Sequence, residues 1–240
     1  MENNPSQESK LGFIKTLLAA LICAGIIRSF LFEPFHIPSG SMKPGLLIGD
    51  YIFVSKYSYG YSRYSFPFGF NIFEGRIFNK APQRGDVAVF RLPSNPSINY
   101  IKRVIGLPGD RLQMISGVLY INGKKIEKIS DGNFYDANKE IAQFLEKLPE
   151  GKLVKTLDSE QNSIADNTGI FEVPQGHYFM MGDNRDNSQD SRFLSHVGYV
   201  AEENLVGKAQ IIFFSNEMPT WQFWYWPYSI RFSRILQKIS

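Results

Sequence analysis

Two short segments carry side chains that could act together in hydrolysis. The first reads Ile37-Pro38-Ser39-Gly40-Ser41-Met42 and puts Ser41 in a turn where Gly40 permits close backbone approach. The second, farther along the chain, holds Lys102 in Tyr100-Ile101-Lys102-Arg103. A serine hydroxyl needs a base to become a nucleophile, and an uncharged lysine amine can be that base. The pair suggests a serine hydrolase, although a serine in such a turn is most often only structural.

Histidine is the usual base for a serine nucleophile, but the three histidines stand in unconvincing contexts. His36 precedes Ser41 by five residues in an extended segment and should not fold back onto it. His177 lies at a turn or strand start, and His196 lies in a short polar loop. Lys43 is nearer to Ser41, but Pro44 makes a helix there unfavourable. Lys102 is therefore the candidate base.

Lys102 needs a dry environment to act in this way. On a strand, Lys102 and Arg103 point to opposite faces, so at least one of the two cations should face inward or into a cleft. Lowering a lysine pKa from ~10.4 to ~8 requires about 3 kcal/mol, which desolvation can supply. The alternative is an ordinary strand lysine with its amine in water.

A third segment, Gly182 to Arg192, interleaves acidic and basic residues. Its acids suggest calcium, but Arg185 stands at the third loop position and Ser188 replaces the glycine of an EF-hand. Alternating Asp and Arg residues favour a self-paired loop that braces a site. Its nearly balanced charge argues against phosphate binding.

An apolar segment, Leu11 to Phe32, precedes all three motifs. Its uncharged centre, Thr16 to Ile27, fits a cleaved signal peptide, but no pair of small residues at alternating positions follows it. With Lys15 and Arg28 snorkelling, the segment reaches about 33 Å as a helix, enough to span a bilayer. We expect an uncleaved transmembrane anchor; a signal peptide and a soluble core helix are the alternatives. Flanking positive charge barely favours a cytoplasmic N-terminus.

The rest of the chain predicts a mainly β fold. Short apolar runs separated by Gly, Pro and Asn are typical of antiparallel sheets. The expected strands are Asp50–Lys56, Asp86–Leu92, Asn99–Ile105, Gly176–Met181 and Ala209–Phe214. Val118–Ile121 followed by Asn122-Gly123 predicts a hairpin. Ala137–Leu148 has helical spacing, residues 1–10 should be disordered, and the more polar stretch 112–172 should be a smaller inserted subdomain, β-rich or irregular.

Two stretches are rich in aromatic residues. One runs from Tyr57 to Phe78, and the other contains all three tryptophans, Trp221, Trp224 and Trp226. Core and hairpin packing would explain both. Because indole rings favour the headgroup region of a bilayer, contact with the membrane is an equally strong interpretation of the tryptophan cluster.

Composition excludes several classes of protein and site. The chain has 240 residues and a net charge of +3, too little for a nucleic-acid binder. Its single cysteine, Cys23, cannot form an intrachain disulfide. The histidines lack zinc-like spacing, so we expect neither a metal nor another cofactor.

Taken together, these segments resemble the bacterial type I signal peptidases, membrane-bound Ser/Lys serine proteases. The stretches that match are Glu33–Met42, Gly85–Phe90, Tyr100–Asp110 and Gly182–Arg192. The resemblance implies Ser41 as nucleophile and Lys102 as general base, with the Ser39 hydroxyl and the Ser41 amide as oxyanion hole. It further implies that Ser188 orients Lys102. The residues expected to support the catalytic geometry are Asp183, Arg185, Asp190 and Arg192.

The resemblance also implies a substrate and a location. The substrates would be signal peptides of exported preproteins, and the residues that match the small-side-chain pockets are Phe35, Ile37, Pro38, Tyr100 and Ile101. The protein would cross the bacterial inner membrane once, with its catalytic domain outside the cytoplasm. The expected division is a cytoplasmic tail at 1–10, an anchor at 11–32, a catalytic β domain at 33–111 and 173–240, and the insertion at 112–172.

Other interpretations stay open from the sequence. Many relatives carry Trp-Gly soon after the last motif, where this chain has Phe193-Leu194-Ser195-His196. A self-cleaving Ser/Lys repressor would carry a DNA-binding domain in place of the anchor. The alternative from another class is a catalytically silent, membrane-tethered β domain that binds extended peptides.

Overall fold

The N-terminal helix is long and apolar enough to cross a membrane. A computed structural model describes residues 5–65, 75–136, 139–160, 163–218 and 222–240. Helix α1 spans Pro5–Phe30, and its stretch Gly12–Phe30 has a mean hydropathy of 1.8 with 6% of it buried. The helix therefore ends at Phe30, before the predicted end of the anchor at Phe32, because Phe32 already begins the first strand.

The expected disorder of residues 1–10 is wrong for the described part of that segment. The helix begins at Pro5, a residue that suits the first helical position because it needs no N–H partner there. Once the apolar segment forms a helix, each added residue gains a hydrogen bond without a new nucleation cost. The first four residues lie outside the described ranges.

The main body of the protein is a seven-stranded antiparallel sheet. Its strands are β1 (Phe32–His36), β2 (Asp50–Ser55), β3 (Val87–Leu92), β4 (Asn95–Gly106), β12 (His177–Met181), β13 (Val200–Ala201) and β14 (Leu205–Ser215). They lie in the order β1-β2-β14-β3-β4-β12-β13. The antiparallel β fold is confirmed, as are the strands predicted from apolar runs.

The segment between β4 and β12 forms two smaller sheets. Its strands are β5 (Arg111–Ile115), β6 (Val118–Ile121), β7 (Lys124–Lys125), β8 (Glu127–Asp136), β9 (Lys139–Lys147), β10 (Leu153–Asp158) and β11 (Phe171–Glu172). One sheet has the order β11-β5-β6-β7 and the other β10-β9-β8. A shared cluster, which includes Leu112, Leu148 and Phe179, packs these strands against the main sheet. The division into a catalytic domain and an insertion stays a prediction.

The hairpin predicted at Asn122-Gly123 is confirmed. It joins β6 to β7, and both residues have positive φ, 53° and 75°. A two-residue turn of this kind matches the right-handed twist of the strands, and Asn-Gly adopts it at low cost.

The helix predicted for Ala137–Leu148 is wrong. Residues 137 and 138 lie outside the described ranges, and 139–147 form β9, which pairs with β8 on one side and β10 on the other. Ile141 and Leu148 are buried, as helical spacing would also predict. Pairing on both edges satisfies the backbone and overrides the local pattern.

The aromatic stretch that contains the tryptophans is partly exposed to solvent. Trp221 and residues 66–74 of the other aromatic stretch lie outside the described ranges. Trp226, at the start of helix α2 (Trp226–Ser229), packs on Phe214 with ring centroids 5.5 Å apart. Phe223 and Tyr228 are largely exposed. Core packing thus accounts for only part of the cluster, and membrane contact stays a prediction.

Candidate active site

Ser41 lies in a loop that two buried neighbours fasten to the main sheet. Ile37 and Met42 belong to the same core cluster, on either side of the Ser39-Gly40-Ser41 turn. From the other side, the Asn184 amide donates to the Ser41 carbonyl at 3.1 Å, and the Asn184 side chain donates to the Gly40 carbonyl at 3.1 Å. These contacts hold the backbone of the turn in place and leave the Ser41 hydroxyl available to a side chain from another strand.

That partner is Lys102. Its Nζ lies 2.7 Å from Ser41 Oγ and 2.9 Å from the carbonyl oxygen of Ile101. Lys102 is 4% exposed in the middle of β4, opposite Ala88 of β3. Burial lowers the pKa of Lys102 to about 8, although Asp190 and Asp183 partly oppose that effect. The dry, inward-facing lysine expected from the sequence is therefore present, next to the serine.

Arg103, the next residue along the strand, differs from Lys102 in being paired with a carboxylate. It is also buried, and its guanidinium binds Asp183 through Nε at 2.8 Å and Nη2 at 2.7 Å. Planar two-point pairing of this kind is the strongest form of ion pair available to an arginine. Both cations of the Lys102-Arg103 pair point inward, which is more than the sequence argument required.

The acidic loop, Gly182 to Arg192, is only partly self-paired. Arg192 binds Asp190 through Nε and Nη2, each at 2.9 Å. Burial opposes ionisation of Asp190, but Arg192 holds the pKa of that carboxyl below its ordinary value. Asp183 and Arg185, however, have their partners outside the loop. Arg185 binds Glu146 of β9 through two contacts of 2.6 Å.

Gly182 allows the loop to approach the serine closely. A Cβ at this position would lie 2.2 Å from Ser188 Oγ and 2.6 Å from the Ser41 carbonyl oxygen. No side chain fits such distances. The Gly182 amide also donates to Asp190 at 3.0 Å, which fixes this approach.

The remaining polar residues predicted for the site lie beside the serine. Ser39 Oγ is 3.5 Å from Ser41 Oγ, at the limit of hydrogen bonding. Ser188 is buried, and among the described residues its hydroxyl forms no hydrogen bond with Lys102. The bond from Ser188 that would orient Lys102 is not formed here, so that role stays a prediction.

A cavity of about 560 Å³ opens onto Ser41 and Lys102. Three residues predicted to bind substrate line it, namely Pro38, Tyr100 and Ile101. The other two are not among its lining residues, since Ile37 is in the core and Phe35 packs against that core. Sequence reasoning missed further lining residues, which are Ile98, Asn99, Asp186, Asn187, Gln189 and Phe193. Ile98 and Asn99 adjoin Tyr100, which was a usable signal.

Other supporting residues were also missed. Arg103 adjoins Lys102, and Asn184 lies inside the acidic loop, so both were within reach of the motifs. Glu146 gave no signal, because its position depends on a strand that its own sequence pattern disfavours. Nor did the contact between Lys43 Nζ and Asp136 Oδ2, 2.5 Å apart and far separated in sequence. Across the described ranges, no group of three or more His, Cys, Asp or Glu residues could hold a metal ion.

Comparison with known proteins identifies the family. The model of the family "Signal peptidase, peptidase S26" matches residues 10–214. A signal peptidase I of Rickettsia typhi is 44% identical over 91% of this chain and 90% of that protein. One of Rickettsia conorii is 47% identical over 85% of this chain and 79% of that protein.

A solved signal peptidase I from Enterococcus faecalis is 29% identical over 54% of this chain and 97% of its own length, with a TM-score of 0.33. A score that low says little about shared geometry, so the family assignment stands on the sequence matches. With a match over most of its length and relatives above 40% identity, the chain belongs to the signal peptidase family, peptidase S26, a family of serine peptidases.

Proposed function

We propose that this protein is a membrane-tethered endopeptidase that removes N-terminal signal peptides from exported preproteins. Ser41 is the nucleophile and Lys102 the general base. The observation that carries the proposal is the 2.7 Å hydrogen bond between Lys102 Nζ and Ser41 Oγ. It lies where burial brings the pKa of the lysine to about 8, so that a useful fraction of the amine is neutral near pH 7.

The reaction proceeds in two halves. Lys102 takes the Ser41 proton as Ser41 Oγ attacks the carbonyl carbon that follows a small side chain. The C–N bond breaks, and the leaving amine receives the proton from the Lys102 ammonium. In the second half, Lys102 takes a proton from water as the water oxygen attacks the ester carbonyl carbon. The ester C–O bond to Ser41 then breaks, Ser41 Oγ takes the proton from the Lys102 ammonium, and the peptide leaves as a carboxylic acid. General-base assistance of this kind typically contributes about 10²–10⁴-fold.

Negative charge develops on the oxygen of the attacked carbonyl in the transition state, and hydrogen-bond donors must stabilise it. The Ser39 hydroxyl and the Ser41 amide are the groups beside the nucleophile that can supply them. An oxyanion donor is typically worth about 10²–10³-fold in rate. The buried ion pairs that Asp183 forms with Arg103 and Asp190 forms with Arg192 hold the acidic loop against Ser41. Ser188 orients the amine of Lys102.

The substrate binds as an extended peptide. Pro38 and Tyr100 both line the cavity, and backbone pairing with either segment would set the register of the peptide. The cavity wall at Ile101 favours small side chains next to the scissile bond. Phe35 and Ile37 shape this region from the core side.

The anchor brings the site to its substrate. Helix α1 spans the bacterial inner membrane once, with residues 1–10 in the cytoplasm and the catalytic domain, 33–111 and 173–240, on the outer side. The insertion, 112–172, belongs to that outer part. The exposed aromatic residues near the C-terminus contact the headgroup region of the lipid bilayer.

The test is cleavage of a preprotein by the detergent-solubilised enzyme. We expect one discrete product, cut after an Ala-x-Ala sequence, and no product with Ser41→Ala or Lys102→Met. Binding of the preprotein without cleavage would instead favour the silent peptide-binding domain. Activity of Lys102→Met close to that of the unaltered enzyme would exclude Lys102 as the base.

The Lys102→Met variant should also fold. Because the folded-state pKa of Lys102 lies below its ordinary value, the unfolded chain holds the proton more tightly. Burying this lysine therefore lowers stability at pH 7, and the cost is relieved only as the pH rises from about 8 towards the ordinary lysine pKa. Removal of the amine should leave the urea midpoint at pH 7 unchanged or higher, which separates lost chemistry from lost structure.

A further inference from the structure

A short loop after the acidic motif forms part of the cavity wall. Phe193 lines the cavity, and its carbonyl oxygen accepts hydrogen bonds from the amides of His196 and Val197, both at 3.0 Å. Val197 is buried in the core cluster that also contains Phe90. The loop is therefore anchored at its end, and the residues between Phe193 and Val197 have little freedom.

His196 lies in this loop and is fixed at two points. Its carbonyl oxygen accepts a hydrogen bond from Ser94 Oγ at 2.8 Å. Its ring nitrogen Nε2 lies 3.1 Å from the hydroxyl oxygen of Tyr100, with the two rings edge to face. The histidine is half-buried, so the contact is only partly open to competition from water.

Tyr100 is the residue through which His196 can influence the reaction. It lines the cavity, and its ring centroid lies 5.2 Å from Lys102 Nζ. The ring also packs on Phe90, with centroids 6.1 Å apart. The ring therefore packs at its base against the core cluster that contains Phe90, and the contact with His196 adds a second fixed point at the hydroxyl end of the side chain.

We propose that His196 is a specificity-determining positioning residue, which fixes the Tyr100 ring and so keeps the cavity beside Ser41 narrow. The inference rests on the proposed function and adds to it a cause for the selection of small side chains. His196 does not touch the reacting atoms. It acts through the tyrosine, whose tilt would open space for a larger side chain.

The experiment measures kcat/KM for peptides that differ only in the residue before the scissile bond, namely Ala, Val or Leu. For His196→Ala we expect the preference for Ala over Leu to fall at least fivefold. With the Ala peptide, kcat/KM should fall about fivefold, the factor that corresponds to one hydrogen bond of about 1 kcal/mol. Tyr100→Phe should give the same change, and the double variant should be no worse than either single one.

Two variants distinguish positioning from general damage. His196→Gln keeps an amide that can bond the Tyr100 hydroxyl and should retain the wild-type preference. His177→Ala removes another half-buried histidine, whose ring is bonded to the Gln175 carbonyl of its own turn at 3.0 Å, and should change nothing. Urea midpoints of all variants show whether each one is folded.

The outcomes separate this inference from the proposed function. If the unaltered enzyme gives no Ser41-dependent cleavage of the Ala peptide, the proposed function is wrong. If that cleavage is present but His196→Ala lowers all three peptides equally, or leaves all three unchanged, His196 does not set specificity. Additive losses in the double variant would likewise overturn the coupling to Tyr100.

Discussion

The chemistry of Lys102 depends on what its neighbour Arg103 does. The carboxylate of Asp183 is occupied by Arg103 at 2.7 and 2.8 Å. Lys102, among the described residues, has no carboxylate within salt-bridge distance, and its amine contacts a hydroxyl and a carbonyl instead. An adjacent carboxylate would hold the proton on the amine and remove the base. Pairing Arg103 with Asp183 therefore protects the neutral form of Lys102.

This arrangement predicts the pH dependence of the reaction. In the proposed mechanism Lys102 must be neutral to accept the Ser41 proton, and burial lowers its pKa to about 8. We expect kcat/KM to rise about tenfold per pH unit below that value and to level off above it. A pH–rate profile from pH 6 to pH 9.5 with a peptide that lacks titrating groups measures this. A flat profile would mean that a base with another pKa controls the step.

At the scale of elements, the strands between β4 and β12 contact the candidate site directly. Strand β9 supplies Glu146, which holds Arg185 of the acidic loop. Strand β10 exchanges backbone hydrogen bonds with the same loop, from Leu157 to Asp183 at 2.8 Å and from Arg185 to Leu157 at 2.9 Å. The end of β8 contributes Asp136, bonded to Lys43 next to the nucleophile turn. The acidic loop is thus held between the main sheet and the sheet formed by β8, β9 and β10.

The link through Glu146 should be costly to break. Glu146→Ala leaves the Arg185 guanidinium buried without its carboxylate, and losing one member of such a pair typically costs about 3–5 kcal/mol. Urea unfolding should detect this loss of stability, and kcat/KM should fall because the acidic loop loses its support.

The matched control is an exposed ion pair in the same part of the chain. Arg111 and Glu172 are 3.1 Å apart, with side chains 59% and 72% exposed. Glu172→Ala should cost less than about 1 kcal/mol, because solvent screens such pairs. Equal losses in the two variants would contradict a special role for Glu146.

At the scale of the whole molecule, α1 has few connections to the sheets. A chain of charges, Arg28 to Glu33 at 3.0 Å and Glu33 to Lys56 at 2.9 Å, joins the end of the helix to the main sheet. The Tyr61 hydroxyl donates to the Phe30 carbonyl at 3.0 Å. The helix otherwise exposes apolar side chains, among them Phe13 and Ile22, as a segment surrounded by lipid would.

A charge in the middle of α1 should prevent stable anchoring. Ile22 is 63% exposed near the centre of the apolar stretch, and a lysine there typically costs about 3 kcal/mol on insertion. We expect Ile22→Lys to move protein from the carbonate-resistant membrane fraction to the supernatant. Phe13→Lys is the control, because a lysine near the helix end can snorkel to the interface. Full retention of Ile22→Lys in the membrane would contradict the anchor.

Short-range sequence patterns predicted much of the fold. The apolar runs of β2, β3 and β4 and the Asn122-Gly123 turn act over a few residues, and they were readable without any partner. The same local reasoning failed at β9, because the spacing of Ile141 and of Leu148, which directly follows the strand, fits one face of a helix. Only the two neighbouring strands decide between a helix and a strand, because each supplies hydrogen-bond partners along one edge of β9.

The sequence by itself identified Ser41 and Lys102 as candidates, since residue type and motif order are properties of the chain. Only the tertiary structure decided that the two side chains meet, that Arg103 pairs with the nearby Asp183, that Glu146 pairs with Arg185 and that His196 contacts Tyr100. The reason is physical. Burial, pKa and hydrogen-bond partners are set by groups from distant strands, and a linear sequence contains no measure of which strands will adjoin.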